Sequence, residues 1–275
     1  MNAPALLRRF GLRPDKRLGQ NFLVDQSALR KIVEIAAISP EDAVLEVGPG
    51  LGGLTSLLAV EAQRVVAVEL DGRLIPILKQ ELSPYPNVQL VHGDILALNP
   101  LELLDAPHYK VVANIPYYIT SALMRHLLDG DRRPSCLVLT VQREVAERIC
   151  ASPGELSLLA LSVQVYGQPQ VRTRIPAGAF YPSPKVDSAV IRVDILPEPA
   201  IPIPLLSPFF RLAKAGFSQK RKTLGNALAA SLAWPKNKAE SMLLAAGIDP
   251  RRRAETLNLA EWGALTHEYA GETTL

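Results

Sequence analysis

Short apolar runs alternate with helical patterns along the first two thirds of the chain. Six of these runs are rich in valine, leucine and isoleucine and are typical of strands: residues 43–48, 64–70, 88–94, 109–115, 135–142 and 188–196. A strand that is buried on both faces is apolar throughout, so continuous runs joined by helical crossovers indicate a mainly parallel sheet. The pattern predicts an α/β fold whose sheet carries helices on both faces.

The C-terminal part of the chain has the periodicity of helices alone. Its helical patterns cover residues 208–217, 222–232, 238–247 and 258–270, and earlier ones cover 54–63, 72–82, 121–130 and 143–149. Between the two parts lies LPEPAIPIPLLSP (residues 196–208), whose five prolines disfavour a packed helix or an interior strand. We therefore expect a linker that separates a first domain over residues 1–200 from an all-helical domain over residues 208–275.

Composition narrows the class of protein. The chain has 275 residues, of which 48% are hydrophobic and 21% charged, and no apolar stretch reaches the roughly 18 residues of a membrane span. The start MNAPALLRRF lacks the apolar core of a signal peptide, and Cys136 and Cys150 have no metal-ligand spacing. These features predict a reduced, cytoplasmic protein without a metal and without membrane association, and a monomer is the default expectation.

The charge is distributed unevenly, although the net charge is only +3. Residues 1–31 carry seven Lys/Arg against two Asp/Glu, and residues 205–275 carry ten against six. The stretch between them carries thirteen Lys/Arg against nineteen Asp/Glu. Basic ends around an acidic middle favour contact with a polyanion at both ends of the chain, although solvated surface charge gives the same pattern.

The first predicted strand ends in a glycine-rich turn, EVGPGLGG. Gly48, Gly50 and Gly53 have the G-x-G-x-x-G spacing of a dinucleotide-binding loop. The E-x-G-x-G-x-G pattern of class I S-adenosylmethionine methyltransferases fits equally well, with Glu46, Gly48, Gly50 and Gly52. Glycine permits positive φ and close approach of the backbone to a ligand, so both patterns predict a cofactor. The loop alone does not choose between them.

Carboxylates end the next two predicted strands. Ligands of open parallel sheets bind beyond the carboxyl ends of the strands, and a carboxylate at Glu69 suits the two hydroxyls of a ribose, which both cofactors contain. Asp94 ends the third strand, where it can accept a hydrogen bond from the exocyclic amino group of adenine. Capping of the following turn is the alternative role for Asp94.

The fourth predicted strand ends in Asn114, Ile115, Pro116 and Tyr117. No Tyr-x-x-x-Lys or His–Asp pair lies at this strand end, which disfavours hydride transfer to a nicotinamide. The exocyclic nitrogen of adenine is a poor nucleophile, and acceptors aimed at its N–H bonds would stabilise the positive charge that develops during methylation. The Asn114 side-chain oxygen and the Ile115 carbonyl can be these acceptors. Pro116 would hold both in place, and Tyr117 can stack on the base.

A second aromatic wall is predicted in FYPSPKVDS (residues 180–188), where a stiff Pro-x-Pro loop follows Phe180. Phe180 would cover the other face of an extruded adenine. Taken alone, this residue would be a core phenylalanine packed under a loop. Its assignment to the base therefore depends on the other motifs.

In eight blocks, in order along the chain, the sequence resembles the small-subunit ribosomal RNA adenine N6-dimethyltransferases. The blocks are residues 16–25, 45–55, 67–71, 92–96, 111–120, 141–149, 180–193 and 216–228. The resemblance implies a Rossmann-like class I S-adenosylmethionine methyltransferase domain followed by a small helical RNA-binding domain. It implies transfer of two methyl groups to the N6 atom of each of two adjacent adenines in the 3′-terminal hairpin loop of 16S rRNA. The partner would be an immature small ribosomal subunit, whose maturation this step serves.

The resemblance also implies roles for single residues. The residues implied for S-adenosylmethionine are Asn21, Leu23, Glu46, Gly48, Gly50, Glu69, Asp94 and Asn114, and those implied for the reacting adenine are Asn114, Pro116, Tyr117 and Phe180. Asn21 and Leu23 would close over the cofactor, and Gly48 would approach its methionine portion. Tyr117 and Phe180 would enclose the target base between them.

The same resemblance gives the basic ends of the chain a role. The side chains implied for contact with RNA phosphates are Lys16, Arg17, Lys220, Arg221 and Lys222. The first two lie beside the residues that close over the cofactor, and the last three open a helix of the tail. Arg251, Arg252 and Arg253 are less informative, because a solvated helix start explains them as well.

Other functions fit parts of the same pattern. The antibiotic-resistance methyltransferases of large-subunit rRNA share an Asn-Ile-Pro-Tyr type of motif, whereas the blocks at 180–193 and 216–228 favour the small-subunit enzyme. DNA adenine methylases usually carry Asp-Pro-Pro-Tyr at this place. A non-catalytic factor that binds immature small subunits and a nicotinamide oxidoreductase are the remaining alternatives, and the intact Asn114 and Glu69 favour catalysis.

Overall fold

A computed structural model describes residues 2–104, 106, 108–130 and 132–273. The chain forms two compact units. The first consists of Met1–Ala146 and Pro169–Ile195, and the second of Glu147–Gln168 and Leu196–Leu275. Residues 147–168, which lie inside the predicted first domain, thus cluster with the C-terminal helices. None of the helices in the described part of the chain has the length and apolar character needed to cross a membrane.

The first unit is built on a seven-stranded sheet, and its mainly parallel α/β architecture confirms the predicted fold class. The strands of the described residues are β1 (Phe22–Leu23), β2 (Ala43–Val47), β3 (Arg64–Glu69), β4 (Val88–His92), β5 (Lys110–Asn114), β6 (Cys136–Gln142), β7 (Gly167–Ile175), β8 (Phe180–Tyr181) and β9 (Ser188–Ile195). The order in the large sheet is β4-β3-β2-β5-β6-β9-β7. Strands β2 to β6 are mutually parallel, and β9 runs antiparallel to β6.

The strand order brings the chemically interesting positions to one edge of the sheet. Strand β2 lies between β3 and β5, and β4 lies next to β3, so these four strands end side by side. Glu69 is the last residue of β3 and Asn114 the last residue of β5, and the glycine loop follows β2 directly. A topological switch point of this kind is where open α/β sheets bind ligands.

Helices cover the sheet because their apolar faces are buried on it. The helices that lie wholly in the first unit are α1 (Ala3–Arg9), α2 (Gln26–Ala36), α3 (Gly53–Glu61), α4 (Ile75–Glu81), α5 (Pro100–Leu104) and α6 (Thr120–Leu128). Ile32 of α2 and Leu58 of α3 share a buried cluster with Val44 of β2. A second cluster joins Leu7 of α1 to Leu78 of α4. Burial of such aliphatic side chains contributes about 1.5–3 kcal/mol each.

Apart from the first two residues of β7, the regular structure in the described residues of the second unit is helical. Its helices are α7 (Arg143–Ile149), whose first residues belong to the first unit, α8 (Leu158–Gln164), α9 (Ile203–Phe217), α10 (Leu224–Leu232), α11 (Lys236–Ala245) and α12 (Leu259–Thr273). Trp262 of α12 is fully buried, and its ring stacks on Phe217 of α9 with centroids 5.9 Å apart.

Two predictions for the tail need correction. Helix α9 begins at Ile203, inside the stretch 196–208 that was predicted to be a linker without a packed helix. Prolines are tolerated there because Pro204 lies in the first turn, where backbone amides have no intrahelical partner, and only Pro208 lies inside the helix. The residues 220–222, predicted to open a helix, lie in the turn before α10.

Candidate active site

The carboxyl edge of the sheet holds a pocket within the first unit. Every residue predicted for the cofactor or the target base lines it, namely Asn21, Leu23, Glu46, Gly48, Gly50, Glu69, Asp94, Asn114, Pro116, Tyr117 and Phe180. These residues come from the ends of four neighbouring strands and from the β1–β8 pair. The fold therefore gathers in one place residues that lie up to 159 positions apart in the sequence.

The glycine loop after β2 has a backbone conformation that glycine favours. Gly48, Gly50 and Gly52 have φ values of +71°, +59° and +82°. The Gly48 amide donates to the Val68 carbonyl at 2.9 Å, which ties the loop to β3. A Cβ added at Gly50 would lie 2.9 Å from Cδ1 of Phe22, so glycine is required there by space as well as by φ. The loop thus brings bare backbone to the pocket.

Glu69 is a buried carboxylate with two backbone donors. Its Oε2 accepts from the Gly50 amide at 3.1 Å, and its Oε1 accepts from the Asp71 amide at 2.8 Å. Burial raises the pKa of Glu69, and the two backbone hydrogen bonds oppose that rise. Each carboxylate oxygen has a further lone pair. The carboxylate therefore retains acceptor capacity of the kind that the cis hydroxyls of a ribose require.

Glu46 is the most deeply buried acid of the pocket, with 1% of its surface exposed. Among the described residues, its Oε2 has no hydrogen-bond partner. Burial raises the pKa of Glu46 to about 8, and the neighbouring charge of Glu69 adds to the rise. A buried oxygen without a partner is costly unless a ligand supplies one, and a cationic ligand group would do so best.

Asp94 follows β4 and is exposed. Its Oδ1 accepts from the Leu96 amide at 2.9 Å and caps the short turn at Ile95–Ala97. The capping role considered from the sequence is therefore present. A carboxylate has a second oxygen, so the cap leaves Asp94 able to accept from a ligand amino group.

Asn114 is oriented by the segment that precedes α2. Its Nδ2 donates to the main-chain carbonyl of Asn21 at 3.4 Å, and the Asn21 side chain donates to the Gly19 carbonyl at 3.0 Å. The donor end of the Asn114 amide is thus engaged, and the carbonyl oxygen is left as an acceptor at the end of β5. Ile115 beside it is 2% exposed, which holds this turn rigidly in the core.

The two predicted aromatic residues differ in their surroundings. The Tyr117 hydroxyl lies 2.7 Å from Oγ of Ser188, which is fully buried, and burial raises the pKa of Tyr117. Phe180 is 4% exposed and belongs to the core cluster, although it also lines the pocket. The β1–β8 pair places Phe180 opposite Leu23. Phe180 is thus both a core residue and part of the pocket lining, the two alternatives considered from the sequence.

Three residues of the site were missed by sequence reasoning. Tyr118 is 59% exposed and lines the pocket mouth next to Gly19. Gln20 lines the pocket, and its side chain bonds to Asp71, which is 6% exposed. The two adjacent tyrosines at positions 117 and 118 were the sequence signal that pointed to Tyr118. Gln20 and Asp71 are 51 positions apart, and no local pattern connects them.

The predicted RNA-contact residues lie outside the pocket. Lys16 and Arg17 lie in a short turn, Lys16–Leu18, whose Leu18 lines the pocket. Lys220, Arg221 and Lys222 are exposed in the second unit, and no ion pair involves them among the described residues. The arginines at 251–253 instead pair within their own unit, with Asp249, Glu261 and Glu255 respectively.

Over most of its length the chain is similar to proteins named as ribosomal RNA methyltransferases. The profile of a family described as ribosomal RNA adenine dimethylase matches residues 11–270. A "Ribosomal RNA small subunit methyltransferase A" of Dehalococcoides mccartyi strain CBDB1 is 48% identical over 98% of this chain and 93% of its own length. The protein of the same name from Geobacillus kaustophilus strain HTA426 is 44% identical over 96% of this chain and 94% of its own.

Two solved structures are similar over most of the chain. A dimethyladenosine transferase from Plasmodium falciparum superimposes with a TM-score of 0.77 at 26% identity, covering 92% of this chain and 98% of that one. The 23S rRNA methyltransferase ErmE superimposes with a TM-score of 0.73 at 28% identity, covering 90% of this chain and 99% of that one.

Proposed function

Because the chain belongs to the ribosomal RNA adenine dimethylase family, it is an rRNA adenine dimethyltransferase, and we propose that it uses S-adenosylmethionine to methylate two adjacent adenines of 16S rRNA. The two adenines lie in the 3′-terminal hairpin loop, and each receives two methyl groups on N6. The protein acts as a monomer on an immature small ribosomal subunit.

Sequence identity supports the small-subunit substrate over the large-subunit one. The relatives named for the small subunit are 48% and 44% identical to this chain, whereas the 23S rRNA methyltransferase ErmE is 28% identical. All three cover nine tenths of the chain or more, so the difference does not arise from partial matches.

The lining of the pocket supports the proposal that S-adenosylmethionine binds there. Glu69 has acceptor capacity for the ribose, and the bare backbone at Gly48 and Gly50 allows the methionine portion to approach closely. The unpartnered Oε2 of Glu46 suits a molecule that carries an ammonium and a sulfonium group. The bound cofactor supplies an activated methyl group on its sulfonium sulfur.

Asn114 and the turn that follows it organise the nucleophile. The Asn114 carbonyl oxygen and the Ile115 main-chain carbonyl accept hydrogen bonds from the two N6–H groups of adenine. Both acceptors draw the nitrogen toward a tetrahedral shape and stabilise the positive charge that forms on it. Tyr117 would stack on the base and Phe180 would limit its other side, so that the two rings would hold the nitrogen in a fixed position for methyl transfer. The nitrogen loses its proton after transfer, so no general base is required.

The single observation that carries this proposal is the Asn114–Asn21 hydrogen bond, because it engages the donor end of the Asn114 amide and leaves its oxygen as an acceptor. The experiment is the Asn114→Ala variant, assayed both for methylation and for binding to unmethylated small subunits. We expect kcat to fall about 10²–10³-fold, the usual effect of removing one stabilising group in the transition state. Binding to the subunit should persist.

Two outcomes would contradict the proposal. Methylation by Asn114→Ala at the wild-type rate would show that Asn114 takes no part in the reaction. Absence of methylation by the wild-type protein, with intact subunit binding, would leave a non-catalytic assembly factor.

A further inference from the structure

One side of the pocket is formed by residues 15–23, here called the strap. The strap contains the turn Lys16–Leu18 and strand β1, and six of its residues, 18–23, line the pocket. It is attached at two strand ends that flank β2. Asn114 at the end of β5 donates to its Asn21 carbonyl, and Asp71 just beyond β3 accepts from its Gln20 side chain.

Gln20 uses both ends of its side-chain amide. Its Nε2 donates to Oδ2 of Asp71 at 2.7 Å, and its Oε1 accepts from the Asp15 main-chain amide at 2.7 Å. One contact holds the strap to the sheet, and the other holds the strap in its own turn. An ionised glutamate has the acceptor for the second contact but no donor for the first, so the amide of glutamine serves both contacts where a glutamate would serve one.

Asp71 connects this contact to the pocket floor. Its main-chain amide donates to Oε1 of Glu69 at 2.8 Å, and the bond is buried. Its carboxylate is held by Arg73 in a fork, with Nε at 2.8 Å and Nη2 at 2.6 Å. The backbone of Asp71 therefore fixes Glu69 while its side chain fixes the strap. Asp71 is therefore the single residue through which a displacement of the strap would shift Glu69, and a displacement of Glu69 would shift the strap.

We propose that Gln20 is a positioning residue that couples closure of the strap to the placement of Glu69 for the cofactor ribose. This inference rests on the proposed function of the pocket. Coupling of this kind is reciprocal, so a bound cofactor stabilises the closed strap to the same extent that the closed strap stabilises the cofactor. Since Lys16 and Arg17 belong to the strap, cofactor binding would also order the basic turn that precedes the lining residue Leu18.

The test is a charge-swap cycle at the contact. Gln20→Glu brings a carboxylate to 2.7 Å from the carboxylate of Asp71 and retains an acceptor for the Asp15 amide. The surrounding charges are Asp15, Asp71 and Glu69 against Arg17 and Arg73, so the added charge is in excess. In the double variant Gln20→Glu/Asp71→Asn, the amide nitrogen introduced in place of Oδ2 can donate to the carboxylate introduced at position 20. The same nitrogen no longer accepts from Nη2 of Arg73, so Asp71→Asn alone is measured as the reference for the recovery.

Two readouts are measured on the full chain. Calorimetry gives the Kd of S-adenosylhomocysteine, and amide hydrogen exchange reports protection of residues 15–23 with and without that ligand. Gln20→Glu is expected to weaken ligand binding about 10–100-fold, the range for a lost hydrogen bond to a charged group, and to abolish the gain in strap protection. The double variant should recover at least half of the lost affinity on a logarithmic scale.

Matched variants separate a positioning role from general damage. Gln168→Glu adds the same charge at an exposed glutamine of β7 and should change neither readout. Gln20→Met removes both hydrogen bonds without repulsion, so it should lose strap protection while its unfolding midpoint falls less than that of Gln20→Glu. Wild-type affinity and protection in both Gln20→Glu and Gln20→Met would overturn the coupling. Failure of the wild-type protein to bind the ligand at all would instead overturn the proposed function of the pocket.

Discussion

The main-chain amide of Gly50 donates a 3.1 Å hydrogen bond to Oε2 of Glu69. This bond joins the glycine loop after β2 to the carboxylate that ends β3, so the two parts of the proposed cofactor site are in direct contact. The loop makes this bond with Gly50 in the left-handed region, at a φ of +59°. Cofactor affinity should therefore depend on the backbone of Gly50 as much as on the carboxylate of Glu69.

Gly50→Ala tests this dependence. A Cβ at this position would lie 2.9 Å from Cδ1 of Phe22, in addition to the cost of about 1–2 kcal/mol for an L-residue in the left-handed region. We expect the free energy of unfolding to fall by more than that backbone cost, and cofactor binding to weaken at least tenfold. Denaturant titration and calorimetry measure the two effects.

Gly11→Ala is the matched control for this substitution. Gly11 also has a positive φ, +65°, but nothing lies within 4 Å of an added Cβ. It should therefore lose only the backbone contribution and retain cofactor affinity. Equal losses of stability in the two variants, with cofactor binding unchanged in Gly50→Ala, would show that the Phe22 contact and the loop conformation do not matter.

The buried Glu46 makes stability depend on pH. Its pKa is raised to about 8 in the folded protein, so the folded state retains a proton that the unfolded state releases from about pH 4.5 upward. The free energy of unfolding attributable to Glu46 therefore falls as pH rises between about 4.5 and 8, by at most about 1.4 kcal/mol per pH unit. Glu46→Gln should flatten this fall in denaturant titrations at pH 5 and pH 8.

Glu41→Gln serves as the comparison, because Glu41 is exposed. It should leave the pH dependence of the wild type in place. The raised pKa of Glu69 acts in the same direction, so part of the slope should remain in Glu46→Gln. A slope identical to that of the wild type would contradict the burial of Glu46 as an uncompensated acid.

Tyr117 combines a structural hydroxyl with a ring that is proposed to stack on the base. Tyr117→Phe removes the 2.7 Å bond to Ser188 and leaves a fully buried hydroxyl without that partner, which costs about 1–3 kcal/mol of stability. It keeps the ring, so kcat/KM should change only a few-fold. Tyr117→Ala should lower kcat/KM about 10–100-fold through lost stacking. Equal activity of the two variants on unmethylated small subunits would rule out a stacking role.

The basic turn before α10 is proposed to contact phosphates. Arg221 has no ion pair among the described residues, whereas the exposed Arg251 is neutralised by Asp249 at 2.9 Å. Arg221→Ala should weaken RNA binding and reduce the slope of log K against log salt by about 1. Arg251→Ala should change the slope less. A larger effect of Arg251→Ala than of Arg221→Ala would indicate that residues 251–253, rather than the turn before α10, contact the RNA.

Much of the fold followed from the sequence because its signals are local. The six predicted strands are all present, and the strands that end in Glu69 and Asn114 place those residues at one sheet edge. Strand β7 was not predicted. It carries Pro169 and a row of exposed polar residues, which a strand at the edge of a sheet tolerates and an interior strand does not.

The sequence predicted which residues belong to the candidate site, but not the hydrogen bonds that connect them. All residues assigned to the cofactor or the base line one pocket, and their individual roles stay predictions. The Gln20–Asp71 bond spans 51 positions and the Tyr117–Ser188 bond spans 71. Such contacts arise from tertiary packing, and no spacing or periodicity in the sequence encodes them. For the same reason, burial of Phe180 in the core could not be separated from its place in the pocket.

The first measurement is a methyl-transfer assay on ribosomal subunits. The purified protein is incubated with S-adenosylmethionine labelled in its methyl group and with small subunits that lack the modification, while a parallel reaction contains large-subunit RNA. We predict label in the 3′-terminal fragment of 16S rRNA, approaching two methyl groups on each of two adenines. Label confined to large-subunit RNA, or no label in either RNA while the cofactor is bound, would contradict the proposed function.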